Sequence, residues 1–180
     1  MDLFIRGVRL LSFACGLFAA ALIVFAVVIV CQMVFIRYVL NDNTIWQTDF
    51  VTYSLVAATF IGGPYVLMTK GHVNVDVVPI YVGPKFRWWL AFFAIAVSLA
   101  FALIMTALTY QFWHEAWENN WRSDSMWRAR LWIPYAAMPV GLGVLSAQYI
   151  VDLICLVTGR EHPFGMAPNQ SGPSLHGAGI

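Results

Sequence analysis

The sequence predicts an all-α membrane protein with four transmembrane helices, and three observations support this. The 180 residues are 61% hydrophobic and only 11% charged, which is about half the charged share of a soluble domain. Four windows contain no Asp, Glu, Lys or Arg, and each meets the need for roughly 20 residues that a helix has in crossing the hydrocarbon. The eight tryptophans lie at or near window ends, where indole prefers the headgroup level. The windows are residues 10–36, 50–69, 88–114 and 131–151.

Helices are the only spanning elements that fit these windows. Each backbone group must be satisfied within the lipid, and no barrel-like alternation of polar and apolar residues occurs. We therefore expect one four-helix domain over residues 1–158, with spans at about 10–36, 50–69, 88–113 and 131–155. Residues 159–180 are rich in Gly, Pro and Ser and have little to bury, which predicts a mobile cytoplasmic tail.

The Lys and Arg residues of the loops predict the orientation. With four spans, both termini and the 70–87 loop share one side of the membrane. That side holds six of the ten basic residues, and an excess of Lys and Arg marks the cytoplasm. We therefore expect both termini in the cytoplasm. The six are Arg6, Arg9, Lys70, Lys85, Arg87 and Arg160, and the other four are Arg37, Arg122, Arg128 and Arg130.

Several classes of protein are excluded by what the windows lack. A net charge of +1 without a basic run gives no basis for nucleic-acid binding. Ion-coupled carriers place ionisable groups within the membrane, and none lies near a window centre here. His72 falls in a loop and His114 at a window edge, so a haem held between spans is not expected. Neither a nucleophile with a supporting base nor a metal-ligand spacing occurs. We predict a membrane partner that is not an enzyme and has no cofactor or metal of its own.

Small residues four positions apart recur along the windows. Such pairs let helices approach closely in lipid. They would pack these four helices on one another or on another subunit, and the sequence does not decide between the two. The pairs are Gly16 and Ala20, Ala58 and Gly62, Ala96 and Ala100, Ala137 and Gly141, and Gly143 and Ala147.

One region resembles a known family. It reads "FIRYVLNDNTIWQTDFVTYSLVAATFIGGPYVLMTKGHVNVDVV" over residues 35–78, and "LWIPYAAMPVG" over residues 131–141 adds a weaker likeness. The order of the motifs resembles the small membrane subunit of tripartite ATP-independent periplasmic (TRAP) transporters, the DctQ-like family. Asp49 stands where the family pattern has Glu. The motifs are Arg37-Tyr38, Trp46, Asp49, Gly62-Gly63 and the run Gly71-His72-Val73-Asn74-Val75-Asp76.

The resemblance implies a role in transport across the bacterial inner membrane. Such systems combine a periplasmic binding protein, a large membrane subunit and a small one. The large subunit is taken to hold the sodium and substrate sites and to move as an elevator, while the small subunit is a fixed scaffold beside it. Substrates of the family are mostly organic acids. Two alternatives stay open, an independent small carrier or channel and a non-transport membrane anchor or electron-transfer subunit.

The residues of the first motifs have both structural and partner-contact interpretations. Arg37 either reaches the headgroups along its apolar stem or pairs with Asp49, Asp42 or a lipid phosphate. Trp46 is either an interfacial aromatic or a contact for the large subunit. Asp49 either favours a helix N-terminus through the dipole or joins the first two spans by an ion pair. Residues 62–64, Gly-Gly-Pro, are expected to permit close packing and a bend.

The run at 71–78 alternates polar and apolar side chains. His72, Asn74 and Asp76 alternate with valines, which as a strand would give one polar and one apolar face. A short helix lying on the membrane surface is the alternative. No further ligands lie nearby, so a metal site is not expected. We predict an ordered cytoplasmic turn that docks the connection between the second and third spans.

The stretch at 110–130 predicts an amphipathic continuation of the third span. Tyr110, Trp113, Trp117 and Trp121 recur at helical spacing. The continuation either anchors the chain at the lipid interface or forms a periplasmic docking surface for the binding protein. The candidate docking residues are Glu118, Arg122, Asp124 and Arg128.

Overall fold

The computed structural model describes residues 2–69 and 84–158, and within these ranges the regular secondary structure is helical apart from one isolated β-bridge. Four stretches are long and apolar enough to cross a membrane, which confirms the predicted all-α architecture with four transmembrane helices. The run at 71–78 and the tail at 159–180 lie outside the described residues. The helices are α1 (Asp2–Val39), α2 (Gln47–Met68), α3 (Pro84–Glu118), α4 (Trp132–Tyr135) and α5 (Ala137–Val157).

Two helices are longer than a membrane is thick. Helix α1 has 38 residues and α3 has 35, so at 1.5 Å per residue they run about 57 and 52 Å. The hydrocarbon core is only about 30 Å thick. Helix α2, with 22 residues, runs about 33 Å and spans it without much excess. Parts of α1 and α3 therefore extend past the lipid, well beyond the charge-free windows of the sequence.

Helix α5 is the centre of the arrangement. Helices α1 and α2 pack along each other, α5 lies against both, and α3 packs mainly on α5. The helices therefore form a layer in the order α1 and α2, then α5, then α3. A small apolar core joins α1 to α5 through four buried residues. These are Ile5, Val8, Val151 and Cys155.

The tightest approach between helices lies where α2 crosses α5. Gly141 of α5 lies directly on the backbone carbonyl of Phe60 in α2, so that a methyl group at this position would collide with it. Pro64 is fully buried in the same helix. Because proline has no N–H, Pro64 cannot bond the carbonyl four residues earlier, which is that of Phe60. The Phe60 carbonyl thus lacks its helical donor at the same point where Gly141, which has no side chain, lets α5 approach it.

Most of the small-residue positions pack within this chain. Gly16 of α1 lies against the ring of Tyr65 in α2, and a methyl group on Gly62 would meet the Ala19 Cβ at 3.3 Å. Ala100, by contrast, is exposed on α3. The glycines of α1, α2 and α5 therefore bring these helices together, which agrees with the interpretation that small residues pack the helices of this chain on one another.

The predicted amphipathic continuation of α3 is wrong beyond Glu118. The helix ends there because Asn120 takes a left-handed backbone with φ of 47°, a conformation that asparagine tolerates at a helix C-terminus. The Asn119 side chain donates to the Glu115 carbonyl at 3.0 Å. Trp121 therefore lies in a hairpin and does not continue the helical stripe.

The last span is broken into α4 and α5. Pro139 follows Tyr135 by four residues, and its missing N–H leaves the Tyr135 carbonyl without a helical donor. The helix is interrupted at Ala136, between the two. The span as a whole covers Trp132–Val157.

Candidate functional site

A tight hairpin occupies residues 121–131, between α3 and α4. The Ser123 amide donates to the Ala129 carbonyl at 2.9 Å, and the Leu131 amide donates to that of Trp121 at 3.0 Å. At the tip, Arg128 has a left-handed backbone with φ of 49°, which is uncommon for a residue other than glycine. The hairpin and the 40–46 loop lie at the same end of the molecule, here called the hairpin end.

Aromatic side chains hold the hairpin to the helices. The Trp113 Nε1 donates to the Trp132 carbonyl at 3.0 Å. The rings of Trp117 and Trp132 meet edge to face, with centroids 4.4 Å apart. The Trp46 ring at the start of α2 lies 6.4 Å from that of Trp127 in the hairpin. Pairs of this kind add about 0.5–1.5 kcal/mol beyond their buried area, so α4 is fastened to α3 on one side of the hairpin, and the hairpin itself to the start of α2 on the other.

Three of the four candidate docking residues come together on the hairpin. Arg122, Asp124 and Arg128 line one concavity of about 330 Å³. Glu118 lies apart, at the end of α3, with its Oε1 3.7 Å from the Nδ1 of His114. Both of those side chains are at least half exposed, and exposed pairs contribute little to stability. The concavity is mixed in charge and open to solvent, which suits a protein surface; its docking role stays a prediction.

Arg37 holds the loop that follows α1. Its Nε donates to the Thr44 hydroxyl at 2.7 Å, and over residues 2–69 and 84–158 no ion pair to Asp42 or Asp49 is formed. The Asp42 carboxylate instead accepts from the Asn43 amide at 2.7 Å. The arginine remains exposed. Of the expected alternatives, the ones still compatible with this placement are contact with the headgroups or a lipid phosphate.

Two buried oxygens at the start of α2 have no hydrogen-bond partner among the described residues. They are the Oε1 of Gln47 and the Oδ2 of Asp49. The Gln47 residue is only 5% exposed. Leaving a buried acceptor unpaired costs about 1–3 kcal/mol, and more when it is charged. A donor brought to this point would therefore stabilise the start of α2.

Gln47 was not among the residues that the sequence singled out. The only signal was its position two residues before Asp49 at a window edge, which is too common to be specific. Of the remaining candidates, Gly62 and Gly63 lie inside α2. His72, Asn74 and Asp76 lie outside the described residues.

A buried polar chain joins α1 to α5 at the opposite end. The Ser12 hydroxyl donates to the Gln148 Oε1 at 3.1 Å, and the Gln148 Nε2 donates to the Asp152 Oδ1 at 3.2 Å. Ser12 and Gln148 are almost fully buried. The sequence did not single out this chain of hydrogen bonds, because Ser12 and Gln148 are uncharged and do not interrupt a charge-free window. In the part of the chain that the structure describes, no three His, Cys, Asp or Glu residues come together to hold a metal ion.

The comparisons with known proteins agree on one family. The family model described as "Tripartite ATP-independent periplasmic transporters, DctQ component" matches residues 26–159. The chain is also 25% identical over 148 residues to the C4-dicarboxylate TRAP transporter small permease protein DctQ of Vibrio cholerae serotype O1. That alignment covers 71% of this chain and 64% of the relative's length. No solved structure matches the chain.

The family match covers more than half of the chain and includes the hairpin, α2 and α5. It agrees with the resemblance drawn from residues 35–78. The four helices that are long and apolar enough to cross a membrane are what a membrane component of a transporter requires. The chain therefore belongs to the DctQ family of TRAP transporter components and is a multi-pass protein of the bacterial inner membrane.

Proposed function

We propose that this chain is the small scaffold subunit of a TRAP-type secondary transporter. It would support a large, elevator-type membrane subunit in the sodium-coupled uptake of an organic acid, which a periplasmic binding protein delivers. The observation that carries the proposal is the family match over residues 26–159. The relative's name makes C4-dicarboxylates the first substrates to try. Sodium would bind in the large subunit.

The helix arrangement supports a scaffold role. A carrier that works alone needs a polar path enclosed by its helices, with ionisable groups to match the transported charge. Here α3 packs mainly on α5, away from α1 and α2, so the four spans do not close around a common path. The buried polar groups Ser12 and Gln148 are bonded to each other. An arrangement without such a path suits a support on which another subunit moves.

The start of α2 supports a contact with the large subunit. Gln47 and Asp49 present buried oxygens without a donor in the described ranges, and an Arg, Lys or amide of a neighbouring chain would satisfy them. Asp49→Asn is then expected to lower the yield of the assembled complex, because a charge-assisted bond contributes about 1.5–3 kcal/mol. The exposed Asp42 provides a control on the adjoining loop, and Asp42→Asn should leave the yield unchanged. Equal yields for the two variants would remove Asp49 from the interface.

The hairpin supports docking of the binding protein, provided that it faces the periplasm. We propose this orientation, with both termini in the cytoplasm, from the distribution of Lys and Arg. Reversing the charge of the concavity with Arg122→Glu and Arg128→Glu should raise the binding-protein concentration needed for half-maximal uptake. Arg6→Glu, an exposed change on α1 toward the opposite end, is the control. Unchanged uptake in the double variant would exclude the hairpin as the docking surface.

Reconstitution separates this proposal from its alternatives. Proteoliposomes would hold the chain alone, the large subunit alone, or both, with binding protein and labelled C4-dicarboxylate outside and an inward sodium gradient. Uptake is expected only when both membrane subunits and the binding protein are present. Uptake by this chain alone would show an independent carrier. Stable assembly with its partner but no uptake of any organic acid would indicate a non-transport anchor.

A further inference from the structure

An apolar groove runs down one face of the layer from the hairpin end. Its volume is about 680 Å³. One wall comes from α2, from Phe50 to Ile61, and the rest from α1, α4, α5 and the hairpin, with Leu22 and Val140 facing the deeper part. Every lining residue is uncharged except two, Arg128 and Arg130, which belong to the hairpin.

The groove has the length of the hydrocarbon part of one leaflet, and its upper end lies at the depth of the lipid headgroups. The wall from Phe50 to Ile61 is twelve residues of helix, and the eleven steps between its ends give about 16 Å at 1.5 Å per step. Half of a hydrocarbon core of about 30 Å is about 15 Å. The upper end lies beside the rings of Trp46 and Trp127, and tryptophans of membrane proteins gather at the headgroup level. The groove thus begins at the headgroups and ends near the midplane.

The charges lie at the headgroup level only. Arg128 and Arg130 are exposed, and in the described part of the chain neither guanidinium has an ion pair. Guanidinium groups bind phosphate through paired, charge-assisted hydrogen bonds. A cavity with two cations at one end and about 16 Å of apolar wall below fits an amphiphile with an anionic head. A transmembrane helix of a partner would have no phosphate to meet these cations.

We propose that this groove is a phospholipid site. One acyl chain of a phospholipid from the leaflet at the hairpin end lies along α2 between Phe50 and Ile61, and its phosphate lies between Arg128 and Arg130. The bound lipid fills the space between α2 and α5 on the hairpin side of their crossing and ties the hairpin to the bundle. The site does not depend on the assignment of a transport role, because it follows from residues of this chain alone.

The test uses a phosphatidylglycerol that carries a photoreactive diazirine near the end of one acyl chain. The full-length chain is placed in nanodiscs of phosphatidylcholine with a trace of this probe, and labelled residues are mapped by mass spectrometry after illumination. We expect a higher labelling yield at Ile61 and Val140 in the groove than at Phe93 and Phe101 on the exposed face of α3. Bulk lipid reaches that face without a specific site, so it measures the background.

Variants then distinguish the contact between the arginines and the phosphate from the contact between the apolar groove and the acyl chain. The double change Arg128→Gln and Arg130→Gln should lower groove labelling about tenfold or more, since each cation near the surface contributes about 1 kcal/mol toward an anionic lipid. Arg122→Gln, in the hairpin but outside the groove, should leave it unchanged. Ala57→Phe fills the groove and should abolish labelling while both arginines remain. This second route keeps the test valid if the double variant does not fold.

Three results would overturn the site. Groove labelling equal to that of the α3 face would show ordinary lipid contact. Labelling that is unchanged by removal of both arginines would exclude the phosphate contact. Loss of groove labelling when the large subunit is co-expressed would show that a polypeptide occupies the groove.

Discussion

At the residue scale, the crossing of α2 and α5 depends on a proline and a glycine together. Pro64 removes the helical donor for the Phe60 carbonyl, and Gly141 of α5 lies against that same carbonyl. Weak Cα–H to carbonyl contacts are common at such helix crossings. Two features that would each weaken a helix alone thus combine to bring two spans into backbone contact.

Replacing Gly141 tests this crossing. Gly141→Ala introduces a methyl group against the backbone of Phe60, which cannot move as a side chain can, so a loss of about 1–3 kcal/mol of stability is expected. Gly143→Ala is the matched control, since its methyl group would meet only the Thr106 Cγ2 at 4.0 Å. Thermal unfolding in detergent should show a lower Tm for the first variant alone. Equal Tm values would mean that the helices are not in backbone contact.

The buried chain from Ser12 to Asp152 gives a second prediction at this scale. Ser12→Ala leaves the Gln148 Oε1 without the donor it has in the structure, and interhelical hydrogen bonds in membranes contribute about 0.6–1.7 kcal/mol. A Tm decrease is therefore expected. Thr59→Ala, which removes only a bond to the carbonyl of Val56 in its own helix, serves as the control. A Tm for Ser12→Ala that matches the control would show that the bond between α1 and α5 adds no stability.

At the element scale, the hairpin is the feature that the sequence predicted least well. Tyr110, Trp113 and Trp117 do continue α3, as their spacing indicated. Trp121 has the same spacing, but the left-handed Asn120 ends the helix before it. Periodicity alone could not show this, since asparagine is tolerated in helices as well as at their ends. The two-residue signal Asn119-Asn120 was the only local indication.

The aromatic contacts predict how the hairpin responds to a single change. Trp46→Ala removes the ring that packs on Trp127, and an aromatic pair contributes about 0.5–1.5 kcal/mol. Hydrogen exchange at the Ser123 and Leu131 amides, which close the hairpin, should become up to about tenfold faster. Trp89→Ala, an exposed ring at the opposite end, should leave exchange in the hairpin unchanged. Unchanged exchange in both variants would show that the hairpin is held by α3 and α4 alone.

At the scale of the whole molecule, the composition was sufficient to predict the fold class but not to predict which helices pack on one another. Four charge-free windows predicted four spans because lipid leaves the backbone no other solution. The order of the helices in the layer was not predictable, since all four windows are apolar all round and lack a face that marks the neighbour. The unpaired oxygens of Gln47 and Asp49 also required coordinates, because a sequence does not show which polar atoms are left without partners.

The layer also explains the large apolar area that the chain exposes. Rows of exposed side chains run along α3 at intervals of about one turn, with Phe93, Val97, Phe101, Ile104 and Leu108 among them. In water such a surface would cause aggregation. In a membrane it is covered by lipid or by a second subunit. We propose that a large polytopic subunit is bound to this layer.

The most direct test of this binding is affinity purification of the full chain from its native membrane in a mild detergent. Quantitative mass spectrometry then identifies what copurifies. We expect one large polytopic membrane subunit in a fixed ratio to this chain, and a reduced ratio for Asp49→Asn but not for Asp42→Asn. Recovery of the chain alone, repeated across several mild detergents, would contradict the scaffold assignment.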